Sequence, residues 1–187
     1  MCATRPIISR GEETDYKKAH LRVLEKLFRD KSYVAHSDTE WSEVEDWKKF
    51  LKTLPVEQPE HPIEVGLVIG DALKDVGVPV VAVDGTNQVT GGEFSLHVYY
   101  CTKPEPKFVV AKVALHDEEN STVAFRVVDS PEEAAETYNV WLDELISDLE
   151  SHARMVSGKP AKEATEIINK LRASKITAEQ LKEGTAR

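Results

Sequence analysis

The chain is poor in the residues that usually announce a function. It has two cysteines in 187 residues, Cys2 and Cys101. Two thiols cannot make a disulfide framework, so a disulfide-stapled secreted scaffold is excluded and a reducing compartment is expected. Long apolar runs are missing, so no segment reads as bilayer-spanning. The opening stretch Met1–Asp15 is polar and lacks the central apolar run of a secretory signal. Long acidic runs are missing as well, which removes mimicry of nucleic acid. The net charge of -9 and a pI near 5.2 repel a phosphate backbone and argue against nucleic-acid binding. There is no internal repeat, no low-complexity tract and no catalytic or metal-ligand signature, and no cofactor is expected. The expected address is the cytoplasm, with neither a membrane nor nucleic acid as partner.

What is present is the composition of an ordinary folded domain, 41% hydrophobic and 30% charged, which does not favour disorder throughout. At this length the chain suits one substantial domain, or one domain with an appendage. Residues 1–13 read as a flexible arm, 14–156 as a single α+β domain and 157–187 as a helical hairpin, docked or appended. Leu21, Leu24, Leu27 and Phe28 recur on one face of a helix starting at Thr14 or Asp15. Ser37 and Glu40 have capping-box spacing before Trp41, Val44, Trp47, Phe50 and Leu51. After a connector with Pro55, Pro59 and Pro62, a third helix is expected from Pro62, capped by Gly77. Glu64–Ile69 has a competing strand reading. Val78–Val83 reads as the first strand. Ser130-Pro-Glu-Glu133 supplies a cap, a first-position proline and an acidic first turn. It predicts a long helix to about Val156, with Ala134, Tyr138, Trp141, Leu142, Leu145, Leu149 and Met155 on its inner face. Ser157–Pro160 breaks that helix. Ala164, Ile167, Ile168 and Leu171 mark the next one. Thr177 and Gln180 form a further capping box, with Ile176 and Leu181 as its hydrophobic staple.

The most informative segment is Glu93–Asp129. Phe94–Thr102, Phe108–Leu115 and Thr122–Val128 have strand compositions, separated by turn material that includes Pro104 and Pro106. Placing Thr102 opposite Lys107 and Leu115 opposite Val123 gathers Phe94, Leu96, Val98, Tyr100, Val109, Ala111, Val113, Leu115, Val123, Phe125 and Val127 on one apolar face. The long helix is expected to cover it. The other face then carries His97, Lys112 and Arg126 in a line across three strands, between the apolar walls Tyr99 and Phe108. Adjacent like charges are unfavourable, so the row calls for something acidic. That is either a carboxylate-rich or phosphorylated peptide or internal partners such as Glu136, Asp143 and Glu144.

Other constellations carry less. His97 and Cys101 share a face, but four residues of strand span roughly 13 Å, too far for one metal ion. His116-Asp117 has the residue types of an acid–base pair without a nucleophile, in a turn. Asp84–Asn87 with Gly91-Gly92 is glycine-bearing, but the chain continues into a strand and not into the helix that a phosphate cradle requires, so a hairpin connection is expected. Trp41, Trp47 and Trp141 fall on helical apolar stripes and are expected in the core. The run Ala72–Gly85 resembles the helix–strand entrance of small nucleotidyltransferase domains. In that family a later strand bears two metal-binding carboxylates at alternate positions. The nearest match is Glu93-Phe94-Ser95, where Ser95 replaces the second carboxylate, and Asp84 stands where the family has a turn glycine. The resemblance implies a member without its metal site, and it is not adopted.

The sequence therefore predicts an α+β fold: N-terminal helices, a three- to four-stranded antiparallel meander covered by a long helix, and a C-terminal helical hairpin. The expected function is a non-catalytic interaction module (adaptor, chaperone-like or inhibitor) binding another protein or an acidic or phosphorylated peptide. Its site would comprise His97, Tyr99, Phe108, Lys112 and Arg126. The alternative is a small transferase- or hydrolase-type enzyme, with His97, Tyr99 and Arg126 lining a pocket on the same sheet face. Homodimerisation through the mixed face or an exposed strand edge is a third arrangement.

Overall fold

The structure is a computed structural model that describes residues 10–87, 91–115 and 121–185. Its elements run α1 (Arg10–Asp30), β1 (Ser32–His36), α2 (Glu45–Lys52), α3 (Pro62–Val76), β2 (Val78–Thr86), β3 (Glu93–Cys101), β4 (Lys107–Leu115), β5 (Thr122–Val128), α4 (Pro131–Ala153), α5 (Lys159–Arg172) and α6 (Ala178–Thr185). The strands form one antiparallel sheet in the order β1-β5-β4-β3-β2. The expected α+β architecture is present, with one strand more than expected: β2 lies where Val78–Val83 predicts a strand, and β1 is additional. No helix among the described residues is long and apolar enough to cross a membrane.

Several local signals act as the sequence suggests. Ser130 Oγ accepts from the Glu133 N–H and starts α4 with Pro131 in its first turn. Pro62 opens α3, and Gly77 closes it by donating to the Leu73 carbonyl. The cap itself comes from His61, whose ring nitrogen accepts from the Ile63 N–H, while Glu64 accepts from the His61 N–H. The strand reading of Glu64–Ile69 is thereby set aside. Thr177 and Gln180 satisfy each other as foreseen. Other boundaries differ. α1 begins at Arg10, inside the expected arm. Ser37 does not cap a helix; its hydroxyl bonds Ser121 instead, and Glu40 and Glu43 bracket a 3₁₀ turn at Trp41–Glu43. α4 stops at Ala153, so Met155 lies beyond it and is exposed.

The larger difference concerns the sheet, whose central strands are covered on both faces. α4, α5 and α6 cover one face through Phe94, Leu96, Val98, Phe108, Val110, Ala114, Ala124 and Val128, against Tyr138, Trp141, Leu142 and Leu145. α1, α2 and α3 cover the other through Tyr33, Ala35, Tyr99, Cys101, Val109, Ala111, Val123 and Phe125, against Leu24, Leu27, Trp47, Ile69 and Leu73. The C-terminal hairpin is docked: Ile168, Leu171, Ile176 and Leu181 are buried in the α4-side core.

Candidate functional site

The expected cationic row does not form. β3 and β4 pair with Cys101 opposite Lys107, Leu96 opposite Lys112 and His97 opposite Ala111. That is one residue away from the register read from the sequence. A shift of one residue turns every side chain of a strand to the other face. His97 and Tyr99 therefore lie on the α1/α3 side, whereas Phe108, Lys112 and Arg126 lie on the α4 side. β4 and β5 keep the expected facing but slide by two, with Val113 opposite Val123. The cause is that both faces of β3 and β4 are apolar. Alternation fixes a register only when one face is wet, and here neither is.

On the α4 side each cation is already engaged. Lys112 Nζ lies 3.2 Å from Glu144 Oε2, one of the internal partners foreseen. The Arg126 guanidinium sits 5.6 Å from the centre of the Trp141 ring, a cation–π placement. Phe108 is buried and tilted against Tyr100. On the opposite side His97 stacks on Tyr99, with ring centres 5.4 Å apart and planes inclined by 18°. Burial holds the His97 imidazole below its usual range, Lys74 pushes the same way, and Asp84 opposes both. Burial, with a smaller push from Cys101, raises the Tyr99 phenol. His97, Tyr99 and Arg126 consequently do not line one pocket, and the enzyme arrangement built on them is not assembled.

The remaining candidates resolve in the same terms. The Cys101 thiol is buried and its pKa is pushed up to about 12 by that burial, which keeps it protonated and unreactive. No group of three or more His, Cys, Asp or Glu residues placed to hold a metal ion occurs among the described residues. Asp84–Thr86 end β2 and pair across a hairpin with Ser95–Glu93, as expected. Trp47 and Trp141 are in the core, while Trp41 is half-buried and donates to the Glu60 carbonyl. His116 and Asp117 lie outside the described residues.

A different basic cluster does assemble. The N-terminal half of α1, the end of α3 and the β3–β4 turn enclose a cleft of about 390 Å³ lined by Lys17, Lys18, Leu21, Val76, Thr102 and Lys103. Leu21 and Val76 are half-buried and the three lysines are exposed. None of the three lysines has an ion-pair partner among the described residues. Two carboxylates next in sequence to other lining residues are committed elsewhere: Asp75, beside Val76, to His20 at 2.7 Å, and Glu105, near Lys103, to Lys107 at 4.0 Å. α3 ends at this cleft, and the carbonyl end of a helix carries about half a negative charge. That half charge offsets only part of three positive charges. A second cleft of about 430 Å³, at the other end of β3, carries Asp84 and Glu93 with Phe94, Ser95, Val113 and Leu115. The two ends of the strand thus carry opposite charge.

Sequence reasoning missed the lysine cleft. Its one visible signal was the adjacent pair Lys17-Lys18. Lys103, far along the chain, joins them only because the β3–β4 turn folds back against α1. Comparison with known proteins found no matching family model, no matching curated protein and no matching solved structure.

Proposed function

We propose that this protein is a non-catalytic interaction module that receives an acidic or phosphorylated segment of another protein in the Lys17/Lys18/Lys103 cleft. The observation that carries this reading is three exposed lysines, none ion-paired among the described residues, around an apolar floor in a chain of net charge -9. Such a surface repels acidic ligands in general, so a concentrated positive site suits one chosen anion. Lysine presents its charge as a point with three donors, suited to carboxylates and phosphates. Leu21 and Val76 would take an aliphatic side chain next to the acidic group, and the Thr102 hydroxyl adds a neutral donor. The buried free thiol of Cys101 and the absence of a disulfide requirement suit a cytoplasmic setting.

The test is fluorescence anisotropy with labelled peptides that place Leu beside Glu or phosphoserine. Wild type should bind, and the affinity should fall as salt rises, because exposed ion contacts are screened. The triple variant K17E/K18E/K103E should bind at least tenfold more weakly with an unchanged melting curve, while Arg126→Ala should bind like wild type. Absence of binding by wild type, or equal binding by the triple variant, rejects the reading.

A further inference from the structure

The two edges of the sheet are built differently. β2 carries Pro79, an irregularity in its pairing between Pro79 and Val81, and a cover from α6. That cover is close: a Cβ on Gly184 would stand 2.5 Å from Val80 Cγ1. Proline, a bulge and a covering element are the usual protections of an exposed edge. β1 has neither the proline nor the irregularity, and among the described residues its outer edge is covered only at the His36 end, where Thr39 turns back onto it. Its sequence Ser32-Tyr-Val-Ala-His36 contains no proline, no lysine and no acidic residue, and it pairs only with β5.

The direction of its free groups can be worked out. Val127 donates to the Lys31 carbonyl at 2.8 Å, and Ser37 donates to the Ser121 carbonyl at 3.0 Å. Along an antiparallel strand the backbone groups alternate sides. Residues 31, 33, 35 and 37 therefore face β5, and residues 32, 34 and 36 face outward. The His36 N–H donates to Thr39 Oγ1 at 2.9 Å, and the His36 carbonyl accepts from the Thr39 N–H at 3.1 Å, so both outward groups of His36 are occupied. The N–H and C=O of Val34 are left pointing away from the sheet, and its side chain is 49% exposed.

We propose that a second copy of this chain occupies that edge, pairing β1 with β1 antiparallel about a two-fold axis at Val34, so that two five-stranded sheets become one. The edge is complementary to itself. Val34 faces Val34 and supplies the free N–H and C=O groups of the contact, Ser32 stands opposite His36, whose backbone groups stay on Thr39, and no pair of like charges is opposed within the strand, an arrangement that antiparallel pairing favours. A two-fold contact requires such self-complementarity. A five-residue edge buries less than the roughly 1,200 Å² at the low end of stable interfaces, so the dimer is weak and depends on concentration. This inference does not rest on the lysine cleft.

Sedimentation velocity from about 1 to about 500 µM should show the full chain passing from monomer to dimer. Val34→Lys opposes like charges at the axis, and Val34→Pro removes an outward N–H, which an edge strand tolerates. Both should stay monomeric throughout with wild-type far-UV circular dichroism and melting temperature. Register is tested by cross-linking in a Cys2→Ala background. Val34→Cys should oxidise to a disulfide-linked dimer at least tenfold faster than Ser32→Cys. Directly opposed residues in a hydrogen-bonded pair have Cα atoms about 5.5 Å apart, within disulfide reach. A wild type that remains monomeric, including one whose β1 edge instead takes up an added extended peptide, overturns the proposal. So does a dimer that survives both Val34 variants, or equal cross-linking rates.

Discussion

Gly66 and Gly70 sit one turn apart on α3, yet a methyl group has opposite consequences at the two. At Gly66 a Cβ would lie 2.4 Å from Val123 Cγ2, so the helix rests on β5 through bare backbone. At Gly70 nothing stands within 4 Å of that position. Gly70→Ala should stabilise the protein by up to about 1 kcal/mol through helix propensity. Gly66→Ala gains the same propensity but overpacks the core, at a cost of roughly 1–3 kcal/mol, and should be destabilising overall. Urea unfolding of the two variants checks the contrast, and equal effects would mean that α3 does not sit on Val123. His97 is the second residue whose surroundings decide its behaviour. Burial lowers its folded pKa below the ordinary 6.5, so the unfolded chain binds the proton more readily. Stability from this group is full above pH 6.5 and is lost as pH falls through that value towards the folded pKa. His97→Gln should flatten this part of the stability profile, measured by urea unfolding between pH 5 and 8. An unchanged slope would show that the ring is solvated.

At the scale of elements, three outcomes show what local pattern can carry. α3, α4 and α6 were legible because their ends are chemical: Pro62 and Gly77, Ser130 and Pro131, Thr177 and Gln180. β1 was illegible because nothing local separates it from α1. The turn between them is made by Lys31, in the left-handed region at φ 71°, where glycine is the usual signal. The C-terminal hairpin was readable as two helices, but its docking was not. Ile168, Leu171, Ile176 and Leu181 are each at least 92% buried. Burying such a side chain stabilises by roughly 1.5–3 kcal/mol, and the four together approach the whole stability of a typical domain, about 5–15 kcal/mol. A chain ending at Gly158 should therefore lose its cooperative melt and bind a hydrophobic dye. A truncated chain that melts like the full one would show that the hairpin contributes nothing to the core.

For the whole molecule, the sequence by itself determined the class of fold, most of the helices, four of the five strand segments and the meander order. These follow from apolar periodicity, turn residues and caps, all of which act within a few residues. Only the tertiary structure decided which way the strands face. With helices on both sides of the sheet, β3 and β4 are apolar on both faces, and alternation loses its power to choose a register. One residue of difference in the β3–β4 turn then sent His97 to one side and Lys112 and Arg126 to the other. The same turn carried Lys103 to Lys17 and Lys18. Charge in this protein is spread through the chain as single residues and pairs. Which cations meet, and which find a carboxylate first, is fixed by packing that no local stretch of sequence encodes.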